Sequence, residues 1–229
     1  MKKFFKYFTW QEWVIWSISV LVIIVSFYIF DRVGYLSLIA SLIGISGVML
    51  CGKGNPMGQV LIIVFATLYG IISYSSKLYG EMITYVGMSA PMALLSLISW
   101  LKNPYKGNKA EVKVNTLSKK ELPLASCLTL AVTIAFYFIL RAFGTAQLLV
   151  STVSVATSFA AVYLTFRRSP YYALAYAFND IVLIVLWALT TLEDVSRLSV
   201  LICFVAFFVN DIYAFINWQR MKKRQEKNS

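Results

Sequence analysis

Two Asn-Asp-Ile triplets, Asn179-Asp180-Ile181 and Asn210-Asp211-Ile212, lie inside apolar sequence of membrane-spanning length. A carboxylate at bilayer depth is costly, so such groups face a protein interior or a wet cavity and mark the path of a solute or ion. If one segment enters at Pro170 and the other leaves at Trp218, Asn179 and Asn210 both sit ~12 to 14 Å from the same membrane surface. The triplets are then level, near the middle of a ~30 Å hydrocarbon core. Tyr172, Tyr176, Asp180 and Trp187 share a helix face by i+4 and i+7 spacing, as do Asn210, Tyr213 and Asn217. A third stripe, Gln59, Tyr69, Ser73 and Ser76, is expected to face the bundle interior. Aromatic faces beside carboxylates and amides suit a small ligand with a flat ring, positive charge and hydroxyls. The expected substrate contacts are therefore Gln59, Tyr69, Tyr176, Asn179, Asp180, Trp187, Asn210, Asp211 and Tyr213. Asp180 is the expected ligand carboxylate, and Asp211 is expected to serve assembly more. Competing readings are that the amides and carboxylates only bond helix to helix, or that Asp180 or Asp211 carries a proton.

The elements that must position these groups are membrane helices. Of the 229 residues 59% are hydrophobic, with a positive mean hydropathy, which excludes an ordinary soluble domain. The net charge of +11 sits between and beyond the apolar segments, not along one face, so nucleic acid is not an expected partner. With no His there is no imidazole metal site and no Ser-His or Cys-His pair; neither catalytic residues nor a metal or other cofactor is expected. Cys51, Cys127 and Cys203 are dispersed and read as packing residues.

Eight spans are expected, at Trp13 to Phe30, Tyr35 to Cys51, Met57 to Ser76, Met82 to Leu101, Pro123 to Leu140, Ala146 to Phe166, Pro170 to Leu192 and Arg197 to Trp218. The first is read as an uncleaved helix because Phe30-Asp31-Arg32 offers no small-residue cleavage site. Gly-Lys-Gly at 52–54 lacks the spacing of a phosphate-binding loop. Residues 102–122 form the one long linker. With both termini inside, seventeen of the 21 Lys and Arg fall on the cytoplasmic side and only Arg32, Lys77, Arg141 and Arg197 on the other.

The chain also repeats. Lys53-Gly54-Asn55-Pro56 followed 44 residues later by Trp100 is echoed by Arg167-Arg168-Ser169-Pro170 followed 48 residues later by Trp218. The organisation expected is all-α: an N-terminal tail and extra helix (1–34), a first three-helix repeat (35–101), a linker and connecting helix (102–145), a second parallel repeat (146–219) and a basic cytoplasmic tail (220–229). Pro91, level with Asn210-Asp211 in a half without its own triplet, is the expected hinge.

Leu78-Tyr79-Gly80-Glu81, Trp100, Ala161-Val162-Tyr163-Leu164 with Arg167-Arg168, Asp180 with its following apolar run, and Trp218 together resemble the PnuC family of bacterial vitamin transporters, whose best-known substrate is nicotinamide riboside. The resemblance spans essentially the whole chain. It implies a 3+1+3 helix fold related to the SWEET proteins, a homotrimer in the cell membrane, and facilitated diffusion driven by a cytoplasmic kinase that phosphorylates the vitamin for NAD biosynthesis. The chain departs from the family pattern at Val162, where the family has Gln, and at Ala173 and Tyr176, where it has Trp; thiamine and riboflavin stay open as ligands. The orientation is testable: a protease site inserted at Gly107-Asn108 should be cut in inverted vesicles and left intact in whole cells.

Overall fold

The computed structural model describes residues 7–145 and 147–228; Lys2, Lys3, Lys6, Ala146 and Ser229 lie outside the described residues. Eight helices among the described residues are long and apolar enough to cross a membrane: α1 (Trp10–Asp31), α2 (Tyr35–Gly52), α3 (Met57–Ser75), α4 (Tyr79–Lys102), α5 (Glu121–Ala142), α6 (Leu148–Phe166), α7 (Tyr172–Thr191) and α8 (Val195–Lys227). α2 packs on α3 and α8, α6 on α5, α4 and α7, and α7 on α8, while α1 lies across α2 and α8.

Local chemistry sets the helix ends. Thr9 and Glu12 cap α1 reciprocally, Thr9 N–H donating to Glu12 Oε2 at 2.6 Å and Glu12 N–H to Thr9 Oγ1 at 3.3 Å. The Lys53 ammonium reaches the same carboxylate at 2.8 Å, tying α1 to the end of α2. α2 and α6 end alike: Gly54 and Arg168 both have left-handed backbone, with φ of 69° and 57°. One residue on, Asn55 N–H donates to Leu50 O at 3.0 Å and Ser169 N–H to Leu164 O at 2.9 Å.

Small residues set the packing distances. The face of α6 made by Ser151, Ser154, Ser158 and Ala161 is buried throughout. At Gly44 of α2 an added Cβ would lie 2.5 Å from Phe207 Cζ, so α8 approaches α2 this closely only over a glycine.

Trp100 and Trp218 each bond to a helix distant in sequence. Trp100 at the end of α4 donates its indole N–H to Thr165 O of α6 at 2.9 Å, and Trp218 of α8 donates to Cys51 O of α2, also at 2.9 Å. The preceding residues do the same, Ser99 Oγ–H donating to Phe166 O at 3.0 Å and Asn217 Nδ2–H to Gly52 O at 2.8 Å. Both indoles are fully buried and lie 5.4 Å apart between centroids.

Three features differ from expectation. The linker folds into a hairpin, β1 (Pro104–Tyr105) paired antiparallel with β2 (Asn108–Val112), so the described chain is not purely helical. Lys106 and Gly107 both take positive φ (48° and 79°), the turn geometry a two-residue hairpin needs. A lone hairpin is marginal in water; this one holds because Val112 is buried against the bundle and its N–H donates to Gly54 O at 2.9 Å. The helix expected to end at Trp218 runs on to Lys227, because Gln225 of its last turn bonds Val114 N–H, Val112 O and Glu111 Oε1 of the linker. α4 starts at Tyr79 and widens to a π-helical turn at Tyr85–Ser89, Ala90 N–H bonding back to Tyr85 O just before Pro91, which has no N–H to give.

Tyr7, the 53–56 turn, the hairpin, the 167–170 turn and the end of α8 thus gather at one end of the bundle, called here the linker face. Replacing Trp218 by Phe removes the indole bond while Cys51 O keeps the Gly54 N–H, and should cost about 0.5 to 1.5 kcal/mol. Thermal unfolding in detergent should fall by several degrees, Trp100→Phe should act alike, and the double variant should lose less than the sum because the rings touch.

Candidate functional site

Among α2, α3, α4, α6, α7 and α8 lies a small cavity of about 60 Å³. α2 and α3 supply Val48, Cys51, Gln59, Phe65 and Ala66; α4 supplies Tyr85 and Ser89; α6 supplies Ser158; α7 supplies Tyr172, Tyr176, Asn179 and Asp180; α8 supplies Phe207 and Asp211.

Its polar groups are held in place. Asn179 Oδ1 accepts Thr157 Oγ1–H at 2.8 Å and Ser158 Oγ–H at 2.9 Å, both from α6. The amide NH₂ is then the part of Asn179 left to donate to a ligand. Gln59 Nε2–H points to Cys51 Sγ at 3.3 Å. Asp180 and Asp211 come from neighbouring helices and their carboxyl groups meet. Asp180 Oδ2 and Tyr172 Oη have no hydrogen-bond partner in the described chain. No Lys or Arg is among the residues that line the space.

Aromatic layers close it at both ends. Toward the linker face stand Trp100, Trp218 and Tyr172, with Tyr172 4.8 Å from Trp218 between centroids. On the opposite side Trp187 Nε1–H donates to Tyr69 Oη at 2.6 Å, and Tyr69 packs at 4.3 Å on Tyr85, 5.3 Å on Phe204 and 5.6 Å on Phe65.

Of the residues expected from the sequence, Gln59, Tyr176, Asn179, Asp180 and Asp211 come together on the cavity wall. Asp211, expected to serve assembly, borders the same space as Asp180. Tyr69 and Trp187 stand one layer beyond it, because i+7 from Asp180 carries Trp187 about 10 Å further along the helix. Asn210 turns toward α1, its Nδ2–H groups bonding Ser19 Oγ at 2.9 Å and Ala206 O at 2.8 Å. Tyr213 sits in a surface groove with Trp10, Gln11, Val14 and Arg220. Two residues of helix turn the side chain by ~200°, so with Asp211 inward Tyr213 faces outward. Asn210 and Tyr213 do share a face, but it is the face toward α1. Tyr172, Phe65, Tyr85, Ser158 and Phe207 also line the space; Tyr172 and Ser158 were visible in the helical spacing, whereas Phe65, Tyr85 and Phe207 carry no signal that separates them from ordinary core.

A family model described as nicotinamide mononucleotide transporter matches residues 34–220. The chain is 28% identical over 215 residues to the nicotinamide riboside transporter PnuC of Neisseria mucosa, covering 92% of this chain and 81% of that protein. To the nicotinamide riboside transporter PnuC of Haemophilus influenzae it is 24% identical, covering 92% and 91%. A crystal structure of the vitamin B3 transporter PnuC superposes with a TM-score of 0.84 and 26% identity, covering 95% of this chain and 94% of that one. With helices, cavity and sequence in agreement, the chain belongs to the PnuC family of multi-pass membrane transporters.

Proposed function

We propose that this protein takes up nicotinamide riboside, binding it between Asp180, Asp211, Asn179, Gln59, Tyr172 and Tyr176. The observation that carries this is charge. Two acidic side chains border an apolar space whose lining holds no Lys or Arg, which suits a pyridinium cation carrying neutral hydroxyls and opposes the phosphate of the mononucleotide. Tyrosine rings supply π faces, and the Asn179 and Gln59 amides can meet ribose hydroxyls.

The transport cycle proposed is facilitated diffusion with cytoplasmic phosphorylation trapping the vitamin. Two parallel three-helix repeats (35–101 and 146–219), joined by α5 with α1 as an extra helix, rock about the site in a SWEET-like 3+1+3 arrangement. The crossed Trp100 and Trp218 bonds and the matching turns at Gly54 and Arg168 support this pairing of repeats. Both termini are placed in the cytoplasm by the positive-inside rule, and the homotrimer rests on the family resemblance. The departures at Val162, Ala173 and Tyr176 keep thiamine, also a cationic ring, and riboflavin as alternative ligands. Contact between Asp180 and Asp211 is the observation behind proton coupling as the alternative mechanism, which predicts uptake that follows an imposed proton gradient.

Calorimetry on purified protein decides the ligand. Nicotinamide riboside should bind, the mononucleotide should not, and thiamine should bind more weakly. Asp180→Asn should lower riboside affinity at least about tenfold, the loss of a charge-assisted hydrogen bond. Unchanged binding in folded Asp180→Asn protein sinks the assignment.

Pro91 is proposed as the hinge, supported by the π-helical turn beside it at the level of the cavity residue Ser89. Pro91→Ala should leave affinity within a few-fold and slow vesicle uptake markedly. Uptake at the wild-type rate would leave Pro91 a packing residue.

A further inference from the structure

Glu81 is fully buried, and neither of its carboxylate oxygens meets a hydrogen-bond donor. It takes part in none of the ion pairs among the described residues. Buried hydroxyls of Ser73 on α3, Thr84 on α4, and Ser151 and Ser154 on α6 also have no partner. Three of them lie about the carboxylate: Thr84 is one turn along from Glu81, Ser154 faces it from α6, and Ser151 packs against the neighbouring Gly80, whereas Ser73 stands beside Tyr69. Gly80 makes the approach possible. A Cβ there would stand 2.9 Å from Thr145 Cγ2 and 3.3 Å from Ser151 Cβ, so the glycine brings α4 and α6 together where Glu81 meets the serines.

A buried anion without a counter-charge is expensive in a low-dielectric interior, more so in a membrane. One carboxylate surrounded by hydroxyls is an all-oxygen donor set that neutralises one positive charge, which suits a hard monovalent cation and not a transition metal. The cluster is separate from the cavity. None of its residues lines that space, and Tyr85, on the cavity wall, stands in electrostatic range of both Glu81 and Asp180.

We propose that Glu81, with Thr84, Ser151 and Ser154, forms a second subsite for a monovalent cation, beyond the Tyr69 and Trp187 layer from the Asp180 cavity. Two sources share this chemistry. One is an inorganic cation such as sodium; the other is the positive ring of the permeating solute, an arm that rests on the substrate reading above.

The test uses the full-length protein with Glu81→Gln, which keeps shape and hydrogen-bonding capacity but not charge, and Glu81→Asp, which keeps charge. The first measurement is melting temperature in sodium chloride against choline chloride. The second is liposome uptake of nicotinamide riboside, a cation, against its reduced, uncharged form. An inorganic occupant predicts a sodium-dependent rise in melting temperature that is lost in Glu81→Gln and kept in Glu81→Asp. A permeant occupant predicts no sodium effect, with KM for the charged riboside raised at least about tenfold in Glu81→Gln and that for the uncharged form unchanged. If folded Glu81→Gln matches wild type in both measurements, Glu81 is a neutral packing group and the subsite is overturned. If the wild type takes up neither riboside, the substrate reading fails and the sodium comparison alone decides: an effect lost in Glu81→Gln supports the subsite and its absence overturns it. Should Glu81→Gln not fold, Ser154→Ala removes one ligand, leaves the carboxylate, and carries the same comparisons.

Discussion

The structure depends on two buried indole hydrogen bonds that cross between its halves. Helix ends leave carbonyls with spare hydrogen-bonding capacity, and at the linker face Cys51 O and Thr165 O, which accept the Gly54 and Arg168 N–H groups of their own turns at 2.8 and 2.9 Å, have room for a second donor. Trp218 and Trp100 each supply that donor from a distant part of the chain. Because the indoles also touch each other, α2, α4, α6 and α8 meet at one point, and the cavity floor is built from that contact. The linker hairpin and the extended end of α8 pack over it through Val112 and Met221.

Above this floor the sequence of layers has a simple electrostatic logic. A pair of acids lies between two aromatic layers, with hydroxyls from α6 fixing the Asn179 amide beside them. Water-poor surroundings strengthen the attraction of the carboxylates for a positive ring, and the absence of Lys and Arg from the lining removes any partner for a phosphate. Basic residues at the linker face are paired, Lys53 with Glu12, Arg167 with Glu121 and Arg224 with Glu111.

α4 is the one helix of the site with an interrupted hydrogen-bond ladder. Its π-helical turn carries Tyr85, which touches the Tyr69 layer, and Ser89, which lines the cavity. A local change of winding there would move both together, while Gly80 holds the preceding turn close against α6.

The sequence by itself determined what the bilayer enforces. Eight apolar runs, the basic character of one set of loops and the level of the two triplets are all one-dimensional consequences of burying backbone in hydrocarbon, and they are legible without contacts. Five of the nine expected contact residues reach the cavity for the same reason, since helical spacing fixes which side chains share a face. It does not fix which neighbour that face meets. Asn210 and Tyr213 lie on a polar stripe as regular as that of Asp180, yet α1 covers one and borders the other, and only the packing of an extra helix against α8 decides it. The hairpin and the long end of α8 were likewise invisible, because residues 104–112 and 219–227 are polar and gain their stability from each other, through Gln225 and Arg224, not from their own propensities. The meeting of Asp180 with Asp211 and the isolation of Glu81 belong to tertiary structure alone, since each depends on how closely separate helices approach.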